Sequence, residues 1–165
     1  MFVYLQHGIS PFLVHKIMYC KICGNITEYF GKTTVLRKYT AVYQKCPKCG
    51  FVYTQNPYWL SESYENAIAS TDIGTVSRAG TNSIQAKSII ELLFTPSAKF
   101  LDYGSGYGIF VRRMRDIGYD YLAYDRHCAN LFLEQFTVSS IVNDSFELVT
   151  AYEVVEHLEE PLVFF

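Results

Sequence analysis

The spacing of apolar and polar positions sets out the elements of this chain. A Thr- and Tyr-rich stretch from Thr33 to Tyr43 predicts short strands. A polar connector, Thr54 to Asn82, follows. It holds Asn56-Pro57 and a Ser-, Glu- and Asn-rich segment that predicts partial helix. From Thr81 to Phe94, the positions of Ile84, Ile89, Ile90, Leu92 and Leu93 predict a helix with one apolar side, ended by Pro96. Lys99 to Tyr103 reads as a short apolar strand running into glycines, and Ile109 to Ile117 as a helix closed by Gly118. A second strand, Tyr121 to Tyr124, ends at Asp125. A second helix is expected over Ala129 to Phe136 and a further strand over Phe146 to Tyr152. Strands alternating with helices predict an α/β fold, a parallel sheet with helices packed on it. No internal repeat or low-complexity tract interrupts the pattern.

Ahead of that alternation lie four of the five cysteines, as Cys20-Lys-Ile-Cys23-Gly and Cys46-Pro-Lys-Cys49-Gly. Each Cys-x-x-Cys turn brings two thiolates close enough to share a metal, and the glycine after it lets the backbone fold back under the ion. Two such turns supply the four sulfurs of a closed, tetrahedral zinc site. The 22 residues between the pairs leave room for a small hairpin. A redox dithiol and two disulfides are the competing readings, but a redox Cys-x-x-Cys occurs singly beside a βαβ unit. Four sulfurs leave no open position for catalysis, so Zn2+ is expected to be structural and to help fold a module too small for its own core. Cys128 stands apart and reads as a small buried apolar residue. The expected organisation is an N-terminal extension with the four-cysteine zinc-binding module (1–53), a connector (54–82) and an α/β domain (83–165).

Composition narrows the function classes. Half of the 165 residues are hydrophobic and 18% are charged, enough to bury a core and not the composition of a disordered chain. The net charge of -2, from 14 basic and 16 acidic residues, gives no reason to expect nucleic acid or an anionic membrane as the main partner. No apolar run reaches the ~18 residues that span a bilayer. The apolar start, Met1 to Ile17, is broken by Gln6, His7, Gly8, Ser10 and Pro11 and has no basic front or small-residue cleavage site, so it is not read as a signal peptide. With metal-type cysteine spacing, this predicts a cytoplasmic protein. The 14 tyrosines and 12 phenylalanines offer rings with an apolar body, suited to pocket walls.

The most informative segment is Phe100-Leu-Asp102-Tyr-Gly104-Ser-Gly106-Tyr-Gly108, a buried strand turning through alternate glycines into a helix. A dinucleotide fingerprint would put its third glycine at position 109, where Ile109 stands, which counts against a nicotinamide-binding oxidoreductase. LDYGSGYG, then YLAYDRH and then FELVTAYEVVEHLEEP, from Lys99 to Pro161, resemble in order the motifs of class I S-adenosylmethionine-dependent methyltransferases. The connector PYWLSESYENAI, with Asp72 and Arg78, is similar to a stretch ahead of the core in a bacterial subgroup that carries a zinc module and is linked to sugar or polysaccharide modification.

The resemblance implies a Rossmann-like sheet, the first half of a methyltransferase core, behind a zinc-ribbon-like module. It implies S-adenosylmethionine as cofactor and a small-molecule methyl acceptor. Cofactor contacts are expected at Asp102, Tyr103, Gly104, Gly106, Gly108, Asp125, Arg126, Ala151, Tyr152 and Glu153. Asp125, 21 residues after Gly104, would accept hydrogen bonds from both ribose hydroxyls. Gly104 and Gly106 would clear space, Asp102 would organise the methionine end, and Tyr103 and Tyr107 would either face the sulfonium cation or simply pack. His157 could be the general base for an acceptor hydroxyl, or Glu156 and His157 could fix the loop. His127 would line the adenine side, with Asn143 or Asp144 contacting adenine.

The third strand would have to lie within Thr137 to Val142, and later strands are missing. The ending Pro161-Leu-Val-Phe-Phe has no polar finish, which favours a piece of a longer protein over a natural short form. The fourth strand is then an exposed edge open to self-association. Rival readings are a non-catalytic cofactor-binding protein and a zinc-ribbon interaction or nucleic-acid-binding protein, the latter disfavoured by the acidic balance.

Overall fold

The structure, a computed structural model, describes residues 17–63, 73–95, 97–142 and 145–165. The chain divides into two units, Met1–Pro57 and Tyr58–Phe165. The first is an antiparallel sheet of β1 (Glu28–Val35), β2 (Tyr39–Lys45) and β3 (Val52–Gln55) in that order. Its hairpin β1–β2 fills the gap between the cysteine pairs, with a bulge between Tyr29 and Gly31. Among the described residues of this unit, Cys20, Thr27, Ala41, Gln44 and Cys46 are buried. Two of these five are cysteines of the paired turns.

The second unit opens with a single turn, α1 (Leu60–Ser63), and a long helix, α2 (Thr75–Leu93). Then come β4 (Lys99–Tyr103), α3 (Ile109–Asp116), β5 (Asp120–Tyr124) and β6 (Leu148–Thr150). The strands form a parallel sheet in the order β5-β4-β6, the parallel α/β fold expected. Central β4 buries Phe100, Leu101 and Asp102. Around Phe100 the aromatic residues build the core: its ring lies 5.2 Å from Tyr121 and 6.1 Å from Phe94, and Phe110 meets Tyr121 at 5.3 Å and Tyr152 at 5.0 Å. Several tyrosines expected at pocket walls are therefore core residues.

Four expectations are corrected. Helix α2 begins six residues earlier than Thr81, and the side it buries is Ala79, Ser83, Ala86 and Ile90, so that of the five expected aliphatics Ile90 alone is buried. Small residues recurring at helical spacing let α2 lie close against α3, whereas Ile84, Ile89, Leu92 and Leu93 are exposed. Pro96, expected to end this helix, lies outside the described residues. Ala129 to Phe136 is not a helix; only Glu134–Phe136 forms a 3-10 turn. The Asn130 side chain takes the backbone N–H of Phe132 (3.0 Å) and Leu133 (2.9 Å), a local turn that competes with helix. Among the described residues, Thr137 to Val142 holds no strand, only a parallel bridge from Thr137 to Ala123. Ser139 and Ser140, both exposed, break the apolar run there. Finally, β6 is three residues long, not seven. At its start the Glu147 carboxylate accepts the Lys99 N–H at 2.8 Å.

The helix face is testable by chemical denaturation. Ala86→Leu forces a large side chain into a closed contact and should destabilise by about 1–3 kcal/mol. Leu92→Ala, at a position 81% exposed, should stay within about 0.5 kcal/mol of the parent. Equal losses from the two changes would contradict the face assigned to α2.

Candidate functional site

The candidate metal centre is built by two matching turns. In the first, the Gly24 N–H donates to the Cys20 carbonyl (2.9 Å) and the Cys20 N–H to the Asn25 carbonyl (2.8 Å). In the second, Gly50 donates to Cys46 (2.9 Å) and Cys46 to Phe51 (2.8 Å). Gly24 and Gly50 sit at φ 68° and 79°, which is why glycine follows each pair. The four sulfurs lie within 4.8 Å of one another, and the two cross-pair distances, Cys20–Cys49 and Cys23–Cys46, are 3.5 Å. Tetrahedral Zn–S bonds of about 2.3 Å put sulfurs about 3.8 Å apart, so the cluster fits zinc. The N–H groups of Cys49 and Lys48 lower the Cys46 thiol to about 7 against the effect of its burial, which favours the thiolate a metal requires. All five cysteines are free thiols, so neither disulfide forms here, and Cys128 is only half-buried.

The glycine loop is strapped to the carboxyl end of β5. Gly104 and Ser105 donate to the Tyr124 carbonyl at 2.7 and 3.2 Å, and Gly106 donates to Asp125 Oδ2 at 2.8 Å. Asp125 Oδ1 also accepts the N–H of His127 and of Cys128, each at 2.8 Å. One carboxylate thus holds both loops at the ends of two neighbouring strands. Gly104, Gly106 and Gly108 all have positive φ, at 71°, 54° and 84°. Their surroundings differ. A Cβ on Gly104 would strike the Val154 side chain, and one on Gly108 would strike Asn130, while beside Gly106 the space is open. Val154 is brought to Gly104 by a turn in which Glu153, exposed, holds φ 57°, a left-handed conformation that a non-glycine residue adopts only at a cost of about 1 kcal/mol or more.

Beneath the loop, Asp102 is buried at the end of β4. Its Oδ1 lies 2.7 Å from the Thr150 hydroxyl on β6, which also lies 3.3 Å from the Leu101 carbonyl. Burial pushes the Asp102 carboxyl up to about 7; the Thr150 hydrogen bond opposes this, and the Asp125 charge adds to it. Tyr103 packs its ring between Tyr124 (5.1 Å) and Phe164 (5.0 Å). With Ala151 it lines an apolar groove of about 490 Å3 beside β6.

Hydrogen bonds and side-chain contact therefore unite Asp102, Gly104, Gly106 and Asp125 with Thr150 and Val154. Arg126 is exposed and donates to the Tyr124 hydroxyl at 3.0 Å. Tyr152 packs on Phe110, and Tyr107 is half-buried. His127 and His157 are exposed, the latter on the 3-10 turn Val155–His157. Asn143, Asp144 and Asp72 lie outside the described residues. Thr150, Val154 and Asn130 were missed because nothing in their local sequence announces a partner 20 to 50 positions away. The loop suits a polar ligand. Gly106 faces open space, Asp125 has acceptor capacity beyond its three N–H groups, and Ser105 Oγ and Asn130 Nδ2 are buried without a hydrogen-bond partner.

Among known families, a family model described as a methyltransferase domain matches residues 80–165, just over half of the chain. No curated protein matches the chain. Among the described residues, no helix is long and apolar enough to cross a membrane.

Metal analysis of purified protein should give one zinc per chain, and Cys46→Ala should lose it. Full zinc retention by that variant would refute the site. Asp102 makes a pH prediction. Its folded pKa is raised above the ordinary value of 3.8, so its contribution to stability is complete below pH 3.8 and is lost as pH rises through about 7. At about 1.4 kcal/mol per unit this amounts to at most roughly 4 kcal/mol. Asp102→Asn should flatten the fall in unfolding free energy between pH 5 and 8 and be the more stable form at pH 8. Parallel profiles for the two proteins would show that the buried carboxyl does not titrate in this way.

Proposed function

The chain belongs to the methyltransferase domain family, and on that premise we propose that it transfers a methyl group from S-adenosylmethionine to a small molecule, a sugar nucleotide or polysaccharide precursor. The observation carrying this reading is the glycine loop tied to Asp125 at the carboxyl ends of parallel strands, where open α/β sheets take their ligands. The sugar-linked acceptor rests on the likeness of Pro57 to Ile68 to the subgroup noted above. The zinc module is structural in this reading.

The cofactor, when bound, supplies an electrophilic methyl carbon on a sulfonium. This chain's residues do the rest. Asp125 would hold the ribose hydroxyls with its remaining lone pairs while keeping the two loops in place. Gly106 would let the ligand reach the backbone, because a side chain there would occupy the open space. Asp102 would organise the methionine end from beneath the loop, where burial disfavours its charged form. His157, exposed on the 3-10 turn Val155–His157, would be the general base for an acceptor hydroxyl. Positioning acceptor and methyl group in line is the principal catalytic contribution.

Calorimetric titration of zinc-loaded protein with S-adenosylmethionine should show saturable binding. Asp125→Asn should weaken it at least tenfold while thermal unfolding confirms that the variant is folded, and NAD should give no response. Binding unchanged in the variant would remove Asp125 from the site. NAD binding in place of S-adenosylmethionine would overturn the cofactor reading.

A further inference from the structure

The net charge of -2 conceals a strong division. Through Pro57 the chain has seven basic residues and one acidic residue, Glu28; from Tyr58 onward it has seven basic and fifteen acidic. The first unit is thus +6 and the second -8. Four thiolates on one divalent ion would leave the first unit near +4, still a dense positive charge for its size. Opposite charge in two parts of one chain is a sequence mark of a polyanion-binding segment.

The placement of these charges is extended. Arg37 and Lys38 stand at the tip of the β1–β2 hairpin, where Leu36 and Arg37 hold φ 49° and 59°. Lys32 lies on β1, while Lys45 lies on β2 opposite Glu28. Lys48 is on the second zinc turn. Among the described residues, Lys32, Arg37, Lys45 and Lys48 take part in no ion pair. The eight residues of β1 run to about 27 Å at about 3.4 Å per residue, too long a track for one phosphate group and suited to a polymer. Aromatic rings are interleaved with the cations. Tyr29 and Phe30 on β1 are 62% and 58% exposed, and Lys45 Nζ lies 5.4 Å from the centre of the Phe30 ring. By register Tyr29, opposite Gln44, and Lys32, opposite Val42, share a face of the sheet. Exposed rings beside spaced cations are the two parts of a single-strand binding platform: cations follow the phosphates, and rings stack with bases a duplex would keep hidden.

We propose that the zinc module's β1–β2 hairpin binds single-stranded nucleic acid. This binding is separate from the cofactor loop and from the identity of the methyl acceptor. The hairpin holds the strand through Lys32 and the tip residue Arg37, and Tyr29 stacks with a base. The acidic second unit repels the same polymer.

The test is fluorescence anisotropy of labelled 20-nucleotide oligo(dT) and oligo(U) with the full zinc-loaded chain, over a range of salt. Binding should weaken linearly in log salt. The double variant Lys32→Ala/Arg37→Ala should lose at least tenfold in affinity and flatten the slope by about 1.4, about 0.7 per lost phosphate contact. Tyr29→Ala should lose about fivefold or more with the slope kept, which a purely ionic contact would not give. Zinc content and thermal unfolding of each variant establish that it is folded. Three outcomes overturn the proposal. They are no binding at 50 mM salt, equal binding of duplex with no effect of Tyr29→Ala, or salt-sensitive self-association that excludes the oligonucleotide. The last would assign the surface to the acidic unit of a second copy. None of these bears on S-adenosylmethionine binding, which the calorimetric titration measures separately.

Discussion

Three backbone N–H groups converge on the Asp125 carboxylate, and the ligand-facing end of the parallel sheet depends on that convergence. The glycine loop after β4 and the turn after β5 belong to different strands, and neither contains enough apolar surface to fix its own path. A carboxylate with two oxygens can accept from both at once, and such charge-assisted hydrogen bonds are about twice as strong as neutral ones. Gly106 must have positive φ for its N–H to reach Asp125. The glycine spacing and the aspartate 19 positions later are therefore one device with two parts. Underneath, β4 carries the opposite case, a carboxyl buried so deeply that its charged form is disfavoured. The sheet thus places one carboxylate at its rim, holding two loops, and a second within it, where burial disfavours the charge.

The zinc module obeys a different constraint. Among its described residues few apolar side chains are buried, so their hydrophobic burial offsets little of the entropy of ordering the strands. The four-cysteine cluster fits a metal whose coordination would add to this, and the hairpin carries exposed charge and exposed rings. This explains how a unit can leave Tyr19, Tyr29 and Phe30 open to solvent and still be ordered. The Cys-x-x-Cys-Gly turns fold as they do because each glycine returns an N–H to the carbonyl of the first cysteine, closing the loop under the ion's position.

Much of this architecture could be read in the sequence, and the parts that could not share a cause. Strands β4 and β5, helix α3 and both cysteine turns announce themselves through short-range signals: apolar runs, glycines at turn positions and fixed ligand spacing. The failures are places where a partner distant in sequence decides. Helix α2 carries five large aliphatics that suggest a buried stripe, yet the face that packs joins Ile90 to the small residues Ala79, Ser83 and Ala86, which permit close approach to α3. Ala129 to Phe136 has helical composition, but one Asn130 side chain diverts two N–H groups and stops the helix. Thr150 and Val154 become site residues only once β6 lies beside β4. The net charge of -2 likewise sums over two units of opposite sign and does not display their division.

The glycines of the loop show why a motif cannot be converted into a cavity without the structure. Three glycines alternate, and each removes a Cβ, but the space released is used differently at each position. At Gly104 it admits Val154, held there by the strained turn at Glu153; at Gly108 it admits Asn130; only at Gly106 does it open outward. The outer two glycines let the following loops close over the strand ends, and the middle one exposes backbone. Substitution at the outer two would therefore disturb packing, whereas substitution at Gly106 would strain the backbone and fill the approach to Asp125. The three identical residues of LDYGSGYG thus perform two physical tasks, and the open position between two packed ones is where a ligand can meet the main chain.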